Sequence, residues 1–180
     1  SNMRSGSYQR GSFGPSAPVQ LLGCQTEPVH VTAKADYAMR AIIEIAAAED
    51  GRAKAEQIAA AQDIPLGFLR GILTDLRRAG LIVSQRSATG GFRLARPASD
   101  ISLGDVVRSV EGPLAQVRGL RPTELDYPGV SAPLRDVWIA LRANLRAVLD
   151  HTTIADVANG ELPALVRKLA AAPASLTENF

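Results

Sequence analysis

Ile64-Pro-Leu-Gly-Phe-Leu-Arg-Gly-Ile-Leu-Thr-Asp-Leu-Arg-Arg-Ala-Gly-Leu-Ile-Val83, with Gly90-Gly-Phe-Arg-Leu94 a short way downstream, decides how this chain folds. Pro65 suits the first turn of a helix, where its missing N–H has no partner to lose and its φ is already helical. Leu69, Ile72, Leu73 and Leu76 then recur at three- and four-residue steps, the spacing of one buried helical stripe. Gly80 closes the helix, because the left-handed position after a helix end favours the residue without a Cβ. Arg70, Thr74, Arg77 and Arg78 fall on the opposite face. An apolar back, a basic front and a hairpin directly behind predict a DNA-reading helix with a wing.

The hairpin is written in two β-prone runs, residues 81–86 and 92–96, around Ser87-Ala-Thr-Gly-Gly91. Paired glycines accept positive φ and permit a tight reversal. Arg86 ends the outgoing strand, and Arg93 and Arg96 lie on the return strand. Residues 65–96 carry six arginines against the single acid Asp75, a local charge of +5, whereas the whole chain is only +2. Such a concentration is the footprint of a phosphate-rich partner. The expected contact residues are Pro65, Leu66, Gly67, Phe68, Arg70, Thr74, Arg77 and Arg78 from the helix. Arg86, Ser87, Thr89, Gly90, Gly91 and Arg93 are expected from the wing. Gly67 has two readings: it brings backbone N–H groups close to a phosphate, or it relieves crowding against a neighbouring helix.

The flanks fit the same plan. Thr32 can cap a helix running into the forties, with Tyr37, Ala41, Ile42 and Ile45 as its inner stripe. Tyr37 reads as a core residue with its hydroxyl at the edge. After the Glu49-Asp50-Gly51 break, residues 55–61 form a second short helix with Ile58 inward, and Gln62-Asp63 turns into Pro65. Helix, helix, turn, helix, two-stranded wing is a winged helix-turn-helix order. Beyond the wing, Ser102 caps a helix containing Leu103, Val106, Val107 and Val110, which ends at Glu111-Gly-Pro. Residues 114–133 have no period and read as a loop, and loops of that length are uncommon without a role. Leu134, Trp138, Leu141, Leu145 and Val148 then step by four, three, four and three, the heptad spacing of helices packed along a seam. Short helices are expected from Thr152 and over residues 162–171.

Five segments in this order, Asp36-Tyr-Ala-Met-Arg-Ala, Ile64-Pro-Leu-Gly-Phe-Leu, Leu76-Arg-Arg-Ala-Gly-Leu-Ile, Gly90-Gly-Phe-Arg-Leu-Ala-Arg-Pro and Ile101-Ser-Leu-Gly-Asp-Val-Val-Arg-Ser-Val-Glu-Gly, resemble the Rrf2 family of bacterial transcription regulators. The resemblance spans residues 31–159. It implies a homodimeric winged-helix regulator, often a repressor, sometimes sensing through an iron–sulfur cluster or nitric oxide. With the heptad spacing, it places a two-fold interface on Leu134, Val137, Trp138, Leu141, Leu145 and Val148, with Trp138 as anchor. Two-fold symmetry then calls for an inverted repeat with half-sites one DNA turn, or a multiple, apart. Arg86 resembles the wing residue that the family sets in or beside the minor groove.

Two departures from the family matter. Cluster-binding relatives carry three cysteines in the interval that here spans residues 112–133, which has none. The only thiol is Cys24 and the only imidazoles are His30 and His151. Clusters are held mainly by thiolates, so no cofactor and no metal are expected; the alternative is a cluster bridging two subunits through Cys24 and histidines. Relatives also commonly place an acid where Arg70 stands. A carboxylate accepts from cytosine N4, whereas arginine donates a bidentate pair to guanine, so a different operator is expected. The altered loop leaves an unknown small-molecule or protein effector, or lost sensing, equally open.

The remaining features set bounds. A length of 180 residues suits one domain with a substantial core. The expected organisation is a flexible N-terminal segment 1–30 that begins with a Ser1-Asn2-Met3 cleavage scar, and a DNA-binding domain 31–110. A loop 111–133, a dimerisation and terminal helix 134–160 and a tail 161–180 follow. Val19-Gln-Leu-Leu-Gly-Cys24 is too short for a secretory core or a bilayer span, so a cytoplasmic protein without membrane partners is expected. No nucleophile–base pair, metal-ligand spacing or nucleotide loop marks an enzyme. The fold class expected is mainly α with a small β-hairpin: a winged helix-turn-helix domain plus a long dimerisation helix. The function expected is a homodimeric regulator on double-stranded DNA; the alternative is a winged-helix protein–protein module without DNA binding.

Overall fold

Thr32 starts the first helix as its composition predicts: its hydroxyl accepts the Ala35 N–H at 3.1 Å, satisfying one of the orphan donors of the first turn. This helix, α1 (Ala33–Ala47), buries Ala35, Ala38, Ala41, Ile42 and Ile45. In this computed structural model the described residues are 31–85 and 90–172. The expected N-terminal segment, with Cys24 and His30, and the wing tip with Arg86, Ser87 and Thr89 lie outside them.

Helix α2 (Ala55–Gln62) turns Ile58 fully inward and ends at Asp63 in a left-handed conformation, φ +51°. Helix α3 (Leu66–Arg78) follows, with Pro65 one step before its first residue. Leu69, Ile72, Leu73 and Leu76 are all buried, as their spacing predicts. Truncating one of them, such as Leu73→Ala, costs about 2–5 kcal/mol through lost transfer energy and the cavity left behind. The end of α3 is a Schellman turn: Gly80, at φ +72°, donates to the Arg77 carbonyl and Leu81 N–H to that of Leu76, each at 3.0 Å.

Strands β1 (Ile82–Gln85) and β2 (Gly91–Leu94) pair antiparallel in the register Ile82 with Leu94, Val83 with Arg93, Ser84 with Phe92 and Gln85 with Gly91. The strands are shorter than expected. Leu81 belongs to the helix-ending turn, and Arg96 lies beyond the return strand rather than on it. Gly91 is a strand residue, not a positive-φ turn residue. Its Cβ would sit 2.8 Å from the Ala53 carbonyl oxygen, so glycine is required by close approach. Ala53 and Phe92 exchange both backbone hydrogen bonds, at 2.9 and 2.8 Å, adding a one-residue third strand outside β2.

Ser102 caps helix α4 (Leu103–Glu111) through a reciprocal pair: its hydroxyl accepts the Asp105 N–H at 3.0 Å while the Asp105 carboxylate accepts the Ser102 N–H at 3.3 Å. Helix α4 packs on α1 and α3, and α6 (Ile154–Asn159) packs on α1. Short backbone pairing between residues 101–103 and 152–154 holds α4 and α6 start to start. Residues 112–133 contain two 3-10 turns, Pro122–Glu124 and Gly129–Ser131, and bury Pro122 and Leu125. Helix α5 (Leu134–Leu149) buries none of its residues completely. Helix α7 (Ala164–Ala170) closes the described chain. The fold is therefore mainly helical with one small antiparallel hairpin. Among the described residues no helix is long and apolar enough to cross a membrane.

Candidate nucleic-acid interface

The amphipathic helix α3 sorts the predicted residues by face. Its core side is fully covered, whereas Gly67, Phe68, Arg70, Gly71, Thr74, Arg77 and Arg78 are exposed and Leu66 is half-buried. Pro65 is exposed just before the helix. A Cβ at Gly67 would meet nothing within 4 Å, so crowding by a neighbouring helix does not explain that glycine. Phe68 is 48% exposed and rests edge-on against Tyr37 of α1, with ring centroids 5.8 Å apart. Tyr37 is itself half-buried and carries the Arg40 guanidinium 5.4 Å above its ring.

Each cation of the face has its own setting. Arg70 is paired with Glu56 of α2, Nη2 to Oε1 3.3 Å. The Thr74 hydroxyl donates to the Arg70 carbonyl at 2.9 Å, which fixes its rotamer and leaves its lone pairs outward. Arg78 reaches Asp75 at 3.4 Å, and Asp75 is also held by Lys34 at 2.9 Å. Arg77 is exposed, and among the described residues no carboxylate lies within ion-pair distance of it. The Glu56 carboxyl is held below its ordinary value, first by its own backbone N–H and then by Arg70.

On the wing, Arg93 is exposed and donates from Nη1 toward the Leu94 carbonyl at 3.4 Å, and Gly90 and Gly91 are half-buried. Arg96 points elsewhere. It pairs with Asp105 of α4 at 2.9 Å and begins a chain of charges: Asp105 with Arg108 at 2.9 Å, Arg108 with Asp150 at 2.6 Å, and Asp150 with Arg146 at 2.8 Å. Sequence reading missed Glu56 and Asp105, because these acids lie outside the arginine-rich window and only folding brings them to Arg70 and Arg96; it missed Asp150 too, which meets Arg108 and Arg146 beyond that window. The local +5 is thus partly neutralised from without.

The six seam residues of α5 divide in two. Leu134, Val137 and Leu141 are 38%, 56% and 38% exposed, whereas Trp138, Leu145 and Val148 are half-buried. Trp138 donates from Nε1 to the Tyr127 hydroxyl at 3.0 Å, and Arg135 donates to the Thr123 carbonyl at 3.1 Å, so α5 carries the preceding loop on one side.

Residues 31–160, which hold these helices and the wing, match the Rrf2 family model, described as an iron-dependent transcriptional regulator. The chain belongs to the Rrf2 family. It is 49% identical over 143 residues to a Mycobacterium tuberculosis protein that carries the name HTH-type transcriptional regulator Rv1287, covering 79% of this chain and 89% of that one. The solved structure of CymR, the global cysteine regulator of Bacillus subtilis, superposes with a TM-score of 0.62 at 32% identity, covering 73% of this chain and 97% of that chain. The IscR structure from T. potens gives 0.59 at 27% identity, over 84% and 95%. The protein is a transcriptional regulator with the winged-helix fold of these Rrf2 relatives.

The iron in the family description does not fit this member's donor set. Its single cysteine, Cys24, lies outside the described residues, and the loop 112–133 supplies arginines, Tyr127 and Glu124 but no thiol. His151 is exposed just past α5. Among the described residues no three of His, Cys, Asp and Glu cluster as metal ligands would. Clusters are held mainly by thiolates, and the sequence has the one cysteine.

Proposed function

We propose that the chain is a homodimeric repressor that sets α3 of each subunit into the major groove of an inverted-repeat operator, with the wing alongside, without a cysteine-held cluster. The observation that carries this reading is the exposed face of α3. Arg70, Thr74 and Arg77 stand outward one turn apart over a back of four buried aliphatic residues. A helix so mounted offers donors to base edges while its scaffold stays rigid. Arg70, held by Glu56 through one nitrogen, keeps its other guanidinium N–H groups for a guanine O6/N7 pair. Gly67 leaves the backbone at the start of α3 bare, open to a close phosphate. Wing residues Arg86, Ser87, Thr89, Gly90 and Arg93 follow the backbone or the minor groove in this reading.

The half-exposed Leu134, Val137 and Leu141 favour dimerisation, since a helix with no fully buried residue and an apolar stripe gains by meeting its own copy. Selection of bound duplexes from a random pool tests the proposal. The reading predicts enrichment of an inverted repeat with guanine at one position per half-site, and affinity that falls steeply with salt. Sequence-independent recovery, or none at low ionic strength, contradicts it.

A further inference from the structure

We propose that the outer face of the wing sheet is a phosphate clasp, in which Arg52, Lys54 and Arg93 grip the sugar–phosphate backbone beside the groove that α3 enters. The proposal rests on the DNA-reading function above and extends it from the reading helix to the sheet face beside it. Ala53 is bonded to Phe92 in both directions, so residues 52–54 lie along β2 as a short antiparallel strand. Side chains alternate across a strand. Ala53, Phe92, Leu94 and Ile82 belong to the core side, which sends Arg52, Lys54 and Arg93 to the other side, where all three are exposed.

The register sets Arg52 opposite Arg93 and Lys54 opposite Gly91. Like charges directly opposed on paired strands destabilise the pair. Elsewhere in this domain many cations are answered: Arg70, Arg78, Arg96, Arg108 and Arg146 each touch a carboxylate, whereas Arg77 on the outward face of α3 does not. Among the described residues no carboxylate lies within ion-pair distance of Arg52, Lys54 or Arg93, and Glu56 acts on Lys54 only from beyond that distance. The repulsion is relieved by an anion from outside. Two features favour a duplex backbone as that anion. The cations form a row on a bare sheet rather than a pocket, with Gly91 leaving the surface flat beside Lys54. The row also adjoins the reading helix, since Glu56, two residues after Lys54, touches Arg70.

The test is a salt series of duplex binding by fluorescence anisotropy, on a selected operator and on a scrambled duplex. It compares the full chain with Arg52→Ala, Lys54→Ala, the double variant, and Arg52→Lys. Each alanine is expected to weaken both duplexes equally and to flatten the slope of log affinity against log salt by about 0.9. The operator-to-scrambled ratio stays constant, and Arg52→Lys keeps the parent slope. An unchanged slope in the double variant, while the parent still binds its operator, overturns the clasp alone. A parent that binds no duplex overturns the DNA-reading function itself. Thermal melts provide the second readout: removing one of two opposed cations leaves the midpoint unchanged or higher, and a lower midpoint overturns the clasp in favour of a structural role.

Discussion

Arg70 and Glu56 meet at 3.3 Å across the α2–α3 turn, both well exposed. An exposed pair of this kind contributes little to stability, so its effect lies in where the guanidinium is held. Arg70→Ala is expected to relax preference at one base pair per half-site by about 1–3 kcal/mol, read from a binding selection, while the melting midpoint hardly moves. The pairing was not legible in the sequence, because residues 56 and 70 are separated by a turn whose angle no spacing encodes. The glycines divide just as sharply. Gly91→Ala forces a Cβ toward the Ala53 carbonyl oxygen and is expected to cost about 1–3 kcal/mol, as overpacking does. Gly71→Ala, in mid-helix with open space around it, is expected to stabilise by about 0.5–1 kcal/mol. Denaturant unfolding of the two variants checks the opposite signs. A glycine pair read as a turn was half misread: Gly91 serves the strand, and its neighbour Ala53 is too short a strand to leave a periodic trace.

At the scale of elements, the charges running Arg96, Asp105, Arg108, Asp150 and Arg146 fasten the end of the wing to α4 and α4 to the end of α5. Burial pushes the Asp150 carboxyl up, but hydrogen bonds from Arg146 and Arg108 outweigh it and hold it below the ordinary value. Asp105 is likewise pushed up by burial and brought lower overall by Arg108, the Ser102 backbone and Arg96. The Arg108 guanidinium is held above its usual value, first by Asp150. Because both carboxyl values are depressed in the folded state, the stabilisation is complete above the unfolded value of about 3.9 and is lost as pH falls through the folded values. Melting midpoints should therefore be flat near neutrality and drop below about pH 4. Asp150→Asn should start lower, by about 1–3 kcal/mol, and show a shallower acid decline. An Asp150→Asn curve that parallels the parent into acid would contradict this. A Cβ at Gly104 would overlap the Asp150 carboxylate, which explains a helical glycine that periodicity alone left unremarked. Caps at Thr32 and Ser102 and the stripe of α3 were legible because they are local; the ion chain was not, because its bonded partners are up to 42 residues apart.

For the whole molecule, heptad spacing announced α5, yet α5 packs only partly on its own chain. Trp138 turns its ring nitrogen to Tyr127, while Val137 is the most exposed large apolar residue of the helix. Val137→Glu is expected to leave far-ultraviolet circular dichroism intact and to convert a dimer into a monomer in sedimentation. A dimer that survives the change moves the interface elsewhere. The order of elements, and with it the family, could be read from five short segments. The loop 112–133 could not, since its two 3-10 turns and buried Pro122 and Leu125 follow no repeat. The most direct test of the central claim is sedimentation of the full chain with its selected operator at low and high salt. The account predicts two chains per inverted-repeat duplex, released as salt rises. One chain per duplex, or no complex even at low ionic strength, would contradict it.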